Sequence, residues 1–142
     1  MSTPHDTDFY TWAMEQAALL RAGKLDAADV SQIAEELESL GRSEAAALRS
    51  AYRFILLHLL KWQYQPTHRG QSGRLTILRE RLNAADLLDD NPGLKPHRAA
   101  LLAKAYPAAR LEAAAETGLP LKTFPDENPF TLDHVSDEFW PE

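Results

Sequence analysis

The chain contains no cysteine. That excludes disulfides, thiol nucleophiles and every zinc site built on thiolates, and it leaves the redox compartment open. Long apolar runs are missing too, uninterrupted ones such as "FILL" at 54–57 and "AALLA" at 99–103 falling far short of the ~20 residues a membrane helix needs. No membrane association is therefore expected. The start, "MSTPHDTDFYTW", has no basic region followed by an apolar stretch, so no signal peptide and a cytoplasmic location are expected. Strand-like alternation, internal repeats and low-complexity segments other than alanine-rich patches are also absent, and with them the usual marks of β or solenoid folds. The signatures H-E-x-x-H, G-x-S-x-G and a glycine-rich phosphate loop do not occur, so no cofactor is implied.

What is present is a chain of 142 residues, 44% hydrophobic and 25% charged, a length and balance that suit one ordinary globular domain. The apolar residues recur with helical rather than strand period, which predicts an all-α bundle of about five main helices plus a short C-terminal one. Asp6 or Thr7 is expected to cap a first helix reaching Arg21 and stopped by Gly23. Its face of Phe9, Trp12, Ala13, Leu19 and Leu20 has Gln16 in the middle. Asp26 is expected to cap a second helix whose Val30, Ile33, Ala34, Leu37 and Leu40 obey the i, i+3, i+4, i+7 rule, with Gly41 as its stop.

A third helix is expected from Ser43 to Gln65, ending before Pro66. It is apolar nearly all round, which marks a central helix. "THRGQSG" at 67–73 reads as a loop. Ser72 is a candidate cap for a fourth helix that "DDNPG" terminates. A fifth is expected from about Leu94 to Thr117, kinked or divided near Pro107 and stopped by Gly118. The core would span about 8–117 of a single domain, 1–142. The proline-rich segment 118–142 would run extended over it, anchored by Leu121, Phe124, Phe130 and Trp140, with one short helix capped by Thr131.

Charge is uneven. The net value of −6 resolves into −6 over residues 1–41, +6 over 42–81 and −6 over 82–142. Two readings of the basic segment compete. Its cations could meet an acidic partner or nucleic acid, or they could pair with the chain's own carboxylates, which requires no ligand. An acidic chain with pI near 5.3 argues against nucleic acid, where basic excess usually spans the domain. The strongest local binding candidate is the loop into the fourth helix. There His68, Arg69 and Arg74, with Arg79 further on, lie beside a helix amino end that favours anions.

A few polar residues interrupt the apolar pattern. His58 and Lys61 sit in "LLHLLKWQYQP". A half-buried histidine hydrogen-bonded to a carboxylate or carbonyl, and a lysine snorkelling from a last helical turn, account for them without chemistry. Glu112 and Glu116 lie on the apolar face of the fifth helix, and ion pairs to Arg53 or Lys61 would explain them. The rival reading takes Glu36, His58, Lys61 and Glu116, from a candidate set that also holds Gln16 and Glu112, as a metal-assisted hydrolase in which Lys61 stabilises developing negative charge. Against it, no Glu-x-x-His pair exists, and no metal-ligand set can be named. A third possibility is a homodimer face formed by the tail or by the Trp12 and Trp140 ends.

The stretches "DFYTWAMEQAALLRAGKLD", "IAEELESLGRSE", "LLHLLKWQYQP", "TILRERL", "ETGLPLKTFP" and "NPFTLDHV" together resemble the bacterial family designated domain of unknown function twenty-nine. They occur in family order from about Asp8 to Phe139. The resemblance implies an all-helical fold and carries over no activity and no catalytic residue. Two departures stand out: Ser72-Gly73 where the family usually has Ser-Trp, and Asn128-Pro129 where it often has Cys-Pro.

Overall fold

The computed structural model describes residues 3–142. It is all-α, with helices α1 (Phe9–Arg21), α2 (Val30–Tyr64), α3 (Gln71–Asp90), α4 (Arg98–Thr117) and α5 (Leu132–Ser136), and no strand among the described residues. Short 3₁₀ turns at Pro66–His68, Pro92–His97 and Leu121–Thr123 connect them. The expected second and third helices are one rod of 35 residues, about 52 Å long at 1.5 Å per residue.

The merger has a physical reason. A glycine ends a helix by adopting the left-handed conformation, as Gly23 (φ 71°) and Gly118 (φ 75°) do. Gly41 is not among the positive-φ residues and lies inside the helix. Stepping about 100° per residue, Val30, Leu37 and Leu40 share one face with Leu48, Ile55 and Leu59. The stripe passes Gly41 without losing phase. Pro107 likewise lies within an unbroken α4. Cap positions shift by a few residues: Asp8 caps α1, accepting from the Thr11 amide at 3.0 Å, and Asp29 accepts from the Gln32 amide at the start of α2. Thr131 caps α5 in a reciprocal box with His134.

The chain divides into two compact units, Met1–Ser43 and Glu44–Glu142, and α2 is continuous through the boundary. In the first unit the buried residues are Trp12 and Gln16. The Gln16 side chain accepts from the Asp29 amide at 2.7 Å. His5 lies edge-on to Trp12, ring centroids 4.6 Å apart, and its Nε2 is 2.6 Å from a Glu36 carboxylate oxygen.

The second unit holds a conventional core. The later half of α2 is central, as its all-round apolar character predicts, with Leu48, Tyr52, Ile55, Leu56, Leu59 and Leu60 wholly buried. Ile77 and Ala84 of α3 join them, as do Ala105, Ala109 and Ala113 of α4, whose small side chains at successive turns permit close helix approach. The C-terminal segment runs over this core and contributes Phe124, Phe130 and Val135. Leu121 does not anchor it, being 38% exposed.

Side chains from α3 and α4 tie the segment down by reaching its backbone. Arg81 donates from Nε to the Val135 carbonyl at 3.1 Å and from Nη2 to those of His134 and Phe139 at 2.8 Å. Arg110 donates to the Phe124 and Leu121 carbonyls and to Asp126. Tyr106 donates to the Pro125 carbonyl, and burial pushes its phenol pKa up to about 12.

Candidate functional site

The end of α2 and the start of α3 form a corner. Pro66 stops the rod, Pro66–His68 makes one tight turn, and Gly70 opens α3 with no side chain capping it. Between them is a cleft of about 240 Å³ lined by His58, Lys61, Trp62, Gln65, His68, Gly70, Ser72 and Gly73. None of these residues is acidic, and Lys61, Gln65, Ser72 and the histidines all offer donors. The first backbone amides of a 20-residue helix also lack intrahelical acceptors there.

His58 is half-buried, as its place in the apolar stretch implies. Burial lowers its pKa below the ordinary value, and the nearby positive charge of Lys61 adds to that, against a smaller opposing pull from Glu116. Burial and Lys61 thus both favour the neutral ring. Among the described residues no side chain or carbonyl hydrogen-bonds it, so the expected structural partner is missing. Lys61 Nζ is 3.7 Å from Glu116 and Arg53 is ion-paired to Glu112, so the two α4 glutamates meet the two cations named for them from the sequence. All four side chains are roughly a third to a half exposed, so each pair contributes about 1 kcal/mol or less.

Of the proposed catalytic set, the second unit thus brings His58, Lys61 and Glu116 together. Glu36 belongs to the first unit, where it faces His5. Gln16 is buried in that unit as well. No group of three or more His, Asp or Glu side chains placed to hold a metal occurs among the described residues.

Of the proposed binding residues, His68 lines the cleft. Arg69 bends back, donating to the Trp62 carbonyl at 2.8 Å and the Pro141 carbonyl at 3.4 Å, with its guanidinium 5.4 Å from the Trp62 ring. Arg74 is exposed at its helix surface and lies 5.3 Å from the Trp140 ring. Arg79 is exposed too, touching Glu80 at 3.3 Å. Trp140 packs on Trp62 with centroids 4.8 Å apart, and Arg81 approaches its ring from α3. Trp140 is half-buried and Trp12 is 3% exposed.

Sequence reasoning missed Arg81 and Arg110 as ties, because a backbone carbonyl acceptor leaves no residue-type signature. It also missed a second basic groove of about 530 Å³ on the side of the unit, where Arg49, Ser50 and Arg53 of α2 face Lys104 of α4. No helix among the described residues is long and apolar enough to cross a membrane.

The family model described as "Domain of unknown function DUF29" matches residues 5–140. No curated protein and no solved structure matches the chain.

Proposed function

We propose, since this chain belongs to the DUF29 family, whose description assigns no reaction, a non-catalytic interaction module that receives an acidic side chain of a protein partner. The receiving place is the cleft between α2 and α3. The observation that carries this reading is the cleft's lining, which holds Lys61, His58 and His68 and no carboxylate, beside an uncapped helix start. A carboxylate entering there gains charge-assisted hydrogen bonds and a favourable helix dipole.

Nucleic acid fits less well. Part of the +6 of residues 42–81 is already engaged: Arg53 with a glutamate, Arg69 and Arg81 with backbone carbonyls. Duplex binding draws its affinity from several phosphate contacts at once. Metal-assisted hydrolysis is the weaker alternative, because the cleft's own lining offers only two metal-ligating side chains, both histidines.

The test is a titration of the whole chain with a glutamate-rich peptide and with a duplex oligonucleotide, following the histidine ring protons by NMR. A carboxylate in the cleft raises the depressed His58 pKa towards its ordinary value, and Lys61→Gln or His68→Gln weakens peptide binding about tenfold. No movement of His58, or tighter binding of the duplex than of the peptide, overturns the proposal.

A further inference from the structure

Two helix faces carry large apolar side chains that their own units leave open. On α3, Leu75, Leu78 and Leu82 recur at i, i+3 and i+7, line an open groove, and are 52%, 39% and 66% exposed. On the first half of α2, Val30, Leu37 and Leu40 are 57%, 64% and 65% exposed. Isolated exposed leucines need no explanation, but ordered stripes of them mark interaction surfaces. The α2 stripe has a further mark: it continues in register the face that Leu48, Ile55 and Leu59 bury completely.

The charges bordering the two stripes have opposite sign. At about 100° per residue, Arg74 and Arg79 fall on the two sides of the α3 leucines, and Glu36 and Glu38 on the two sides of the α2 stripe. The segments that contain them carry +6 and −6. Pairing like with like would set arginine against arginine or glutamate against glutamate. Pairing α2 with α3 sets each leucine stripe on the other with opposite charges at its borders, as flanking charges do in coiled coils.

We infer that the leucine face of α3 in one copy of this chain is covered by the Val30–Leu40 stripe of a second copy, reciprocally, so that two copies form a closed pair. The occupant is a second copy because one chain carries one face of each kind, and two chains leave neither uncovered. The inference does not rest on the cleft reading, since it uses a different face and a different occupant.

Light scattering and sedimentation of the full chain over a concentration series test it. A dimer is expected at about 100 µM, with Leu37→Asp and Leu78→Asp each giving monomer at unchanged helicity by circular dichroism. Glu38→Arg and Arg79→Glu each weaken dimerisation about tenfold, and exchange of all four bordering charges (Glu36→Arg, Glu38→Arg, Arg74→Glu and Arg79→Glu) restores it, because every bordering contact then has its signs exchanged. Lys61→Gln leaves the dimer intact, which separates this result from failure of the cleft reading. A monomeric wild type overturns the inference, including the case in which the faces are satisfied within one chain. So do an open polymer, a dimer indifferent to all four single variants, or a full exchange of the four bordering charges without recovery.

Discussion

The two units of this chain are held together by different physics. In Glu44–Glu142 a large apolar core is closed on all sides of one helix, and polar side chains serve mainly to strap a proline-rich segment across it. In Met1–Ser43 the buried residues are Trp12 and Gln16, and the recorded ties are polar or aromatic: Gln16 to the Asp29 amide, His5 to Glu36, and Thr3 to Glu15. Leu25, Leu37 and Leu40, which a core would bury, are 60% or more exposed. One unit answers to volume and the other to charge.

The contrast can be broken most severely by removing volume. Ile55→Ala in the second unit should cost about 2–5 kcal/mol in urea unfolding, whereas Leu25→Ala in the first should stay within about 0.5 kcal/mol. Equal costs would erase the distinction. Next comes the strap: Arg81→Leu strands the three carbonyls that Arg81 serves and should cost on the order of 3 kcal/mol, read by denaturation, with early release of the tail seen by hydrogen exchange.

A smaller effect of opposite sign is expected on the shared rod. Gly41 is helical and a Cβ there would meet nothing within 4 Å, so Gly41→Ala should stabilise by about 0.5–1 kcal/mol in thermal or urea melts.

The subtlest test is pH, because the two units carry histidines shifted in opposite directions. His5 is raised by its hydrogen bonds to Asp6 and Glu36. The stability it adds is complete below its ordinary pKa and is lost as pH rises through the raised value. His58 is lowered by burial and by Lys61. It costs nothing above its ordinary pKa and destabilises as pH falls below it, because the unfolded chain then binds the proton more readily. His58→Gln should flatten the acid-side decline in stability, and His5→Gln should remove the alkaline-side loss. The slopes of unfolding free energy against pH from 5 to 8 check both.

These differences also explain what could be read from the chain beforehand. Helical period in the apolar residues is a strong signal, so the all-α class and the central place of residues 48–60 were legible. The division at Gly41 was not, because glycine marks a stop only when its backbone turns left-handed, which residue type alone does not decide. The apolar stripe of Val30 to Leu40 looked like core, since period reveals a face but not what covers it. At the site, Lys61 and Arg53 were legible as the cations that meet Glu112 and Glu116, though not which pairs with which, because opposite charges on two long helices have few ways to pair. The arginine ties to carbonyls, the Trp62–Trp140 stack and the Arg49–Lys104 groove depend on distant chain segments meeting, and no local pattern announces them.

The placement of the three tryptophans makes the molecule self-reporting. Trp62 and Trp140 lie close enough, at 4.8 Å between rings, for their indole transitions to couple and give a paired near-ultraviolet dichroism signal that vanishes when the C-terminus lifts away. Trp12 is alone in the other unit, buried in α1, and takes no part in that coupling. Release of the C-terminal segment can thus be followed by dichroism in the unlabelled wild-type protein.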